Sequence, residues 1–105
     1  MKPTDNIQIA LALDELKQVL DPEIGINIVD LGMVQNIDMY EQSKSIQVAL
    51  ILTSEFCPMA DSIKENTKNT LEHYFSGYIA TVTLLSEPKW NADMISDEGK
   101  RLLNL

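Results

Sequence analysis

Apolar and polar residues alternate with two different periods along this chain, and each period predicts one kind of element. A period of three to four over residues 6–20, behind a capping box of Asp5 and Gln8, predicts a first helix. A period of two predicts two strands, one on each side of the polar turn at residues 41–44. The apolar positions are Ile9, Leu13, Leu16 and Leu20 in the helix, Val34, Ile37 and Met39 in the first strand, and Ile46, Val48, Leu50 and Leu52 in the second.

The second strand differs from the first because its other face is also apolar. Ala49 and Ile51 lie between the alternating positions of this strand. A strand that is apolar on both faces is typical of the middle of a sheet. The pattern therefore predicts a central strand that is covered on both sides.

The second half of the chain shows the same change of period. Cys57 at the N-cap and Pro58 at the first helical position predict the start of a second helix, and Gly77 predicts its end. Residues 78–85 alternate again and predict a third strand, after which Ser96 can cap a short last helix. The inner stripe expected for the second helix is Ile63, Thr67, Leu71 and Tyr74.

These elements occur in the order α-β-β-α-β-α. The first two strands are expected to form an antiparallel hairpin, and the second helix to form a crossover to the third strand, right-handed if those strands are parallel. The sequence thus predicts an α/β (α+β) fold, a small sandwich with a three-stranded mixed sheet. Residues 1–105 contain no linker or repeat, and we expect one domain.

The charge of the chain limits its partners. Sixteen acidic residues against eight basic ones give a formal net charge of −8. This charge repels phosphate backbones, so we expect no nucleic-acid partner, and it favours basic proteins or metal cations. No segment is long and apolar enough to predict a membrane span or a signal peptide. A single cysteine rules out an internal disulfide and favours the reducing cytoplasm.

Residues 21–32 form an acidic loop that is interrupted by glycines. Pro22 disfavours helix at the residue before it and so ends the first helix. Apolar residues within the loop can bury it while its carboxylates face a site. The oxygen-bearing side chains are Asp21, Glu23, Asn27 and Asp30, and the apolar ones between them are Ile24, Ile26, Ile28, Val29 and Leu31.

Cys57 is the candidate reactive residue. A helix N-terminus favours its thiolate, although Glu55 and Asp61 nearby in sequence oppose this effect. A thiolate at this position can bind iron or copper, or can act as a nucleophile in sulfur transfer. The alternative is a buried and inert cysteine, which is common for this residue type.

The loop and the cysteine segment together resemble the PaaD-like/SufT-like family of iron–sulfur cluster assembly domains, also called metal–sulfur cluster biosynthetic domains. The match extends in order over nearly the whole chain, with two departures, Glu55-Phe56 before the cysteine and Asn91-Ala92 after the tryptophan. The matching parts are the loop from Asp21 to Gly32, Leu52-Thr53, Cys57-Pro58, Pro88-Lys89-Trp90 and Asp93-Met94-Ile95-Ser96.

The resemblance implies a site with Cys57 in contact with a cluster or with sulfur. It implies a polar surround of Asp21, Glu23, Asp30 and Thr53. From the residues alone, Asp21 can instead make a turn before proline, and Asp30 can cap the backbone of its own loop. Glu23 has no obvious local role.

Two further residues keep a structural alternative. Thr53 can bond the backbone at a strand end or lie beside Cys57, and its residue type does not decide between them. Trp90 is expected to pack the tail of the chain against the sheet. The family pattern therefore leaves the local contacts of both residues open.

Ligand arithmetic restricts any metal site. One cysteine and one histidine cannot complete a tetrahedral zinc site or hold a four-cysteine cluster within one chain. We therefore expect no tightly bound cofactor, only labile metal at Cys57 in a transient iron–sulfur cluster. A second copy, a partner protein or a small thiol would complete the ligands, so a homodimer is one of the assemblies allowed.

The resemblance implies an accessory factor, not an enzyme, in iron–sulfur cluster assembly or iron–sulfur protein maturation. Its expected partners are iron–sulfur client or scaffold proteins. One alternative is a non-catalytic interaction module with a structural cysteine and an acidic loop that docks on a basic surface. Another is an accessory component of an aromatic-acid-degrading oxygenase system, whose resembled members carry extra C-terminal cysteines that this chain lacks.

Overall fold

The computed structural model describes residues 6–53 and 59–103, and the order of their elements is the predicted one. The helices and strands are α1 (Asn6–Leu16), β1 (Val34–Tyr40), β2 (Ser45–Leu50), α2 (Ala60–Tyr74), β3 (Ile79–Leu84), a 3-10 turn (Ala92–Met94) and α3 (Asp97–Leu102). The predicted small α+β fold is confirmed. The organisation of residues 1–105 as one domain stays a prediction.

The three strands form one mixed sheet in the order β1-β2-β3. β1 and β2 are antiparallel, with Ile37 opposite Val48, while β2 and β3 are parallel, with Val48 opposite Val82. The central position of β2 and the antiparallel hairpin are therefore confirmed. β1 and β3 are the two edges of the sheet.

The prediction that β2 is covered on both sides is wrong within the strand, although Ile51 just beyond its end is buried. Its inward residues Ile46, Val48 and Leu50 are buried, whereas Gln47 on the other face is exposed and Ala49 is half-buried. The crossover places α2 on one face of the sheet, and α1 packs against α2 on that same side. The other face is open because no third layer of secondary structure is available among the described residues.

α1 ends at Leu16, four residues earlier than predicted. Tight turns follow, in which Lys17 N–H donates to Asp14 and Val19 N–H donates to Leu16. Leu20 then bridges to Asn27, and its side chain is 53% exposed. The helical spacing of Leu20 was thus misleading, because the backbone here pairs with the following loop. Asp5 of the predicted capping box lies outside the described residues.

α2 begins at Ala60 with Met59 at the N-cap, so the prediction of Cys57 as N-cap is wrong. Cys57 and Pro58 themselves lie outside the described residues. Of the predicted stripe, Ile63, Thr67 and Leu71 are buried, and the Thr67 hydroxyl is satisfied by donating to Ile63 O at 2.7 Å. Tyr74 is instead 45% exposed, and Phe75 takes the inner position after the helix.

Glu72 joins the end of α2 to the start of β3. Its carboxylate accepts from Lys68 Nζ at 2.7 Å and from Ala80 N–H at 2.8 Å. The hydrogen bond from Lys68, followed by that from the Ala80 backbone, lowers the pKa of Glu72 below its ordinary value. One carboxylate therefore satisfies a backbone donor at the edge of the sheet.

The C-terminal segment packs on the loop between α1 and β1. Trp90 is partly buried against the core, and its indole N–H donates to Leu31 O at 2.6 Å. Ser96 N–H donates to Asp30 O at 2.7 Å, and the backbone of Met94 lies directly over Gly32. Trp90 thus holds the tail against this loop, where the sequence predicted contact with the sheet.

In the part of the chain that is described, no helix has the length and apolar character needed to cross a membrane.

We predict that alanine at Gly32 destabilises the protein much more than alanine at Gly77. Both glycines have positive φ, 78° and 90°, which costs a side-chain-bearing residue about 1–2 kcal/mol. At Gly32 a Cβ would also lie 2.3 Å from Met94 O, and such overpacking adds about 1–3 kcal/mol. At Gly77 nothing lies within 4 Å. Urea unfolding of Gly32→Ala and Gly77→Ala measures the difference, and equal losses would contradict the packing of Met94 on the loop.

Candidate functional site

The acidic loop between α1 and β1 is built into the hydrophobic core. Ile28 and Leu31 are fully buried, Ile26 is 8% exposed, and Ile24 and Val29 are partly buried against the same core. The predicted pinning of the loop by its apolar residues is therefore correct. Its four oxygen-bearing side chains nevertheless have different environments.

Asp21 is fully buried, and its carboxylate organises the start of the loop. Oδ1 accepts from the backbone N–H groups of Glu23 at 2.9 Å and Ile24 at 3.3 Å. The predicted turn before proline is thus present. Oδ2 accepts a further hydrogen bond from the Thr53 hydroxyl at 3.2 Å, across a sequence separation of 32 residues. Asp21 consequently links two segments that the sequence placed in the candidate site.

Thr53 lies three residues beyond the end of β2, where the chain leads towards Cys57. The sequence left two roles open for its hydroxyl, a bond to backbone or a place beside Cys57. The hydroxyl donates to the Asp21 side chain and not to backbone, while a place beside Cys57 stays a prediction. This contact holds the segment after β2 against the start of the acidic loop.

Glu23 is exposed, unlike the buried Asp21 two residues before it. Its backbone N–H is used in the Asp21 turn, so the turn fixes the position from which the Glu23 side chain extends. The loop therefore presents one carboxylate to solvent and keeps another inside. Glu23 is the member of the predicted surround that a partner could reach directly.

Asp30 has a different set of partners from Asp21. Oδ1 accepts from the Ser96 hydroxyl at 2.6 Å, and Oδ2 accepts from Asn27 Nδ2 at 2.7 Å. The Asp30 N–H donates to Asn27 Oδ1 at 2.8 Å, and the Ser96 hydroxyl also accepts from Gly99 N–H at the start of α3. Asp30 thus connects the loop to the cap of the last helix. The prediction that Asp30 caps the backbone of its own loop is wrong, because the Asn27 side chain is the group that caps this backbone.

The environment of Asp30 favours its charged form. Burial raises the pKa of this carboxyl, but the hydrogen bonds from Ser96 and Asn27 and the charge of Lys17 outweigh burial. The net result is a pKa below the ordinary value of 3.8. These contacts give Asp30 a structural role, whereas Asp21 and Thr53 are the pair brought together next to the cysteine segment.

A cleft of about 610 Å³ adjoins Thr53 at the carboxyl ends of β2 and β3. The sequence analysis did not predict it, because its walls come from segments far apart in the chain. Lys89 and Trp90, within the predicted Pro-Lys-Trp motif, were the one available signal. The lining residues are Ile51, Leu52, Thr53, Leu85, Ser86, Pro88, Lys89 and Trp90.

No group of three or more His, Cys, Asp or Glu side chains that could hold a metal occurs within residues 6–53 and 59–103. His73 lies in the last turn of α2, in a separate groove that it lines with Glu15 of α1. Cys57 lies outside these ranges.

Residues 10–77 match a family model described as iron–sulfur cluster assembly protein. This segment extends from α1 to the glycine after α2, and it includes the acidic loop, Thr53 and Cys57. The chain belongs to the iron–sulfur cluster assembly protein family. The resemblance noted from the sequence is therefore confirmed at the level of the family.

Two curated relatives are close to this chain in length. The chain is 37% identical over 84 residues to an Fe-S protein maturation auxiliary factor of Porphyromonas gingivalis. The matched residues are 80% of this chain and 79% of the relative. It is 34% identical over 90 residues to an Fe-S protein maturation auxiliary factor of Bacillus subtilis, covering 86% and 87%. The similarity thus extends over most of each protein.

Solved structures show the same fold. A crystal structure of a domain of unknown function from Bacillus anthracis superposes with a TM-score of 0.85, at 28% identity and with 91% of each chain covered. A solution structure from Mycobacterium tuberculosis, titled as a protein associated with [Fe-S] complex assembly and repair, gives a TM-score of 0.54 at 27% identity. It covers 96% of this chain and 87% of that chain.

We predict that Asp30 contributes to the loss of stability in acid. Because its folded pKa lies below 3.8, the native carboxyl binds fewer protons than the unfolded one. Its contribution is therefore present above that value and is lost as the pH falls through the lower, folded pKa. Urea unfolding as a function of pH should show a weaker acid dependence for Asp30→Asn, and a partial effect for Ser96→Ala. An unchanged acid dependence in Asp30→Asn would contradict this role.

Proposed function

We propose that this protein is an accessory factor in iron–sulfur cluster assembly or iron–sulfur protein maturation, and that it uses Cys57 for transient contact with the cluster or its sulfur. The observation that carries the proposal is the family match over residues 10–77, together with relatives of similar length that are named maturation auxiliary factors. The cluster is here a cargo that passes between proteins. We propose that the protein itself is not an enzyme.

The position of Cys57 in the chain supports a site shared with the acidic loop. It lies four positions after Thr53, whose hydroxyl bonds Asp21, and two positions before Met59 at the N-cap of α2. A fully extended chain spans at most about 3.6 Å per residue. The Cys57 Cα therefore lies within about 14 Å of the Thr53 Cα and about 7 Å of the Met59 Cα.

We assign different roles to the acidic residues around Cys57. Asp21 is buried and hydrogen-bonded to Thr53, so it positions the segment that leads to the cysteine. Asp30 holds the loop to the C-terminal helix through Ser96. Glu23 is exposed and available to a partner. The proposed site thus combines Cys57 as the contact residue with Asp21 and Thr53 as positioning residues.

A single cysteine supports transfer over storage of the cluster. One thiolate is one ligand, and protein-bound clusters of the usual kinds take about four. The remaining ligands would come from a client, a scaffold, a small thiol or a second copy of the chain. Such shared ligation allows the cluster to leave when the partner leaves. A reducing compartment such as the cytoplasm would keep the thiol available.

The interaction module with a structural cysteine is the alternative that experiment can separate. The buried and fully bonded Asp21 is consistent with it, since that carboxylate also stabilises the fold. We place the oxygenase component below both, because the maturation-factor relatives cover most of this chain. The maturation factor and the interaction module differ in whether function requires the sulfur of Cys57.

We predict that Cys57→Ser folds normally but loses maturation activity and cluster binding. The substitution is nearly isosteric, so a small change in the thermal melt is expected, whereas a hydroxyl is a poor iron ligand compared with a thiolate. Iron and sulfide content after anaerobic reconstitution with a client protein, together with the melt, measures both effects. A variant that unfolds, or one that matures the client fully, would favour the structural cysteine.

We also predict that Glu23→Ala weakens recognition of a basic partner without changing the melt. An exposed loop carboxylate contributes little to stability, about 0.5 kcal/mol or less. It can still steer association, and salt screens that effect. Glu41→Ala is the matched control. Glu41 is also an exposed acid, but it lies in the turn before β2, whereas Thr53 of the proposed site follows β2.

Partner titrations at low and high salt decide the role of Glu23. The expected result is weaker binding by Glu23→Ala, mainly at low salt, with Glu41→Ala close to wild type. Equal affinities for both variants at both salt concentrations would reduce Glu23 to a turn residue.

A further inference from the structure

The two edges of the sheet are protected to different degrees. β1 carries a register irregularity between Val34 and Asn36, and Asp38 adds a charge that is bonded to Asn36. Bulges and charges are common devices that prevent another strand from adding to an edge. β3, with the sequence IATVTL, contains no charge and no proline. Its edge therefore lacks the protection found at β1.

The hydrogen bonds of β3 show which of its backbone groups point outward. Ile79 N–H donates to Lys44 O at 2.9 Å and Leu85 N–H donates to Leu50 O at 2.8 Å, so the odd-numbered residues face β2. By the alternation of a strand, Ala80, Val82 and Leu84 direct their N–H and C=O groups to the outer edge. Among the outward donors, Ala80 N–H is occupied by the Glu72 carboxylate.

A row of charged side chains on α2 lies along this same edge. Lys64, Lys68 and Glu72 each follow a buried residue of the helix stripe by one position, and each is half-buried. They therefore form one flank of the helix, and the contact of Glu72 with Ala80 places that flank at the outer edge of β3.

The lysines on this flank fall beside Val82 and Leu84, whose outward backbone groups have no hydrogen-bond partner among the described residues. α2 is the crossover between parallel strands and so runs antiparallel to β3. From Glu72 to Lys64 the helix rises about 12 Å, and from Ala80 to Leu84 the strand rises about 13 Å. Lys68 is thus near the level of Val82, and Lys64 near that of Leu84. The edge groups of Val82 and Leu84 thus lie near Lys64, whereas the charge of Lys68 is paired with Glu72 at 2.7 Å. Lys64 is the positive charge that a partner can meet, on a chain of net charge −8.

We propose that the outer edge of β3 is a strand-addition site for an extended, acidic segment of a partner protein. Backbone hydrogen bonds to Val82 and Leu84 would supply the pairing, and an acidic side chain on the helix side of the added strand would meet Lys64. A second acidic side chain would compete with Glu72 for Lys68. Glu72 sets the limit of the site by occupying Ala80. A second copy of the chain is a poorer occupant, because β3 has no acidic residue and the two copies repel each other.

This inference deepens the proposed function, because it rests on that function in assigning the segment to a client or scaffold protein. The edge and Cys57 are tested separately. Cys57→Ser should leave strand addition unchanged, so failure of the edge proposal can be told apart from failure of cluster transfer.

A blocked hexapeptide that alternates glutamate and valine is a suitable probe, with a peptide that alternates lysine and valine as its control. Titration into the labelled full chain is followed by amide NMR shifts and by hydrogen exchange. The expected result is a shift and slower exchange at Val82 and Leu84 with the glutamate peptide. The lysine peptide should bind more weakly.

Charge reversal at the site provides the decisive comparison. Lys64→Glu should weaken binding of the glutamate peptide about two- to five-fold at low salt and should strengthen binding of the lysine peptide. Lys100→Glu makes the same charge change on α3 and should alter neither preference beyond the small general effect of net charge. Each variant is compared with itself on two peptides. A change in which peptide it prefers therefore cannot result from a difference in stability between the variants.

Glu72→Ala tests the limit of the site. The substitution frees Ala80 N–H and removes an acid, so the glutamate peptide should bind more tightly and Ala80 should gain protection. Glu65→Ala removes an exposed acid from α2 and serves as the control.

Three results would overturn the proposal. They are peptide-induced shifts that avoid Val82 and Leu84, equal binding of the two peptides by wild type and Lys64→Glu, or protection of β3 that rises with protein concentration in the absence of peptide. The last result would assign the edge to a second copy of the chain.

Discussion

The loop between α1 and β1 enters the hydrophobic core, and a buried segment of backbone must find a partner for each of its polar groups. Much of the rest of the structure supplies these partners. Thr53 bonds Asp21, Trp90 bonds Leu31 O, and Ser96 bonds Asp30 through both backbone and side chain. Within the part of the chain that is described, no buried side-chain nitrogen or oxygen lacks a partner. The segment after β2 and the C-terminal tail are therefore both held by hydrogen bonds to this one loop.

This arrangement also separates stability from recognition among residues that look alike in sequence. Asp21 and Asp30 are buried and hold other parts of the chain through hydrogen bonds to their carboxyl oxygens, whereas Glu23 is exposed between them. The proposed role of Cys57 requires that this residue be presented reproducibly to a partner. The contact of Asp21 with Thr53 provides a fixed support on one side of the cysteine segment, and α2 provides the other.

The open face and the unequal edges of the sheet suit a protein that works by association. The core lies on one side of the sheet. At one edge of that sheet, β3 contains no charged residue. Glu72 occupies one donor of that edge, the Ala80 N–H. The part of the edge beneath Lys64 and Lys68 stays available for strand addition in our proposal. Cluster contact near the carboxyl end of β2 and strand addition along β3 would use neighbouring but different surfaces. A partner could thus be bound by backbone pairing while its ligands approach the cysteine.

The sequence by itself determined the order of elements, the central place of β2 and the membership of the family. Periodicity is local, and the hydrophobic residues at Ile46, Val48 and Leu50 must be buried wherever the strand lies. The loop could also be predicted to be pinned, because its apolar residues have no other way to leave water.

Tertiary structure decided what local patterns could not. Leu20 continues a helical spacing yet is exposed, because the backbone there turns away to pair with Asn27. Tyr74 is exposed at the end of α2, where Phe75 takes the inner position. The outer face of β2 is open because the second layer of helices packs on one side only. Asp21 is hydrogen-bonded to Thr53, 32 residues away in sequence, and Asp30 is hydrogen-bonded to Ser96, 66 residues away. A carboxylate accepts a hydrogen bond from any donor that the fold brings near, so its residue type specifies the chemistry while the packing of distant segments specifies the partner.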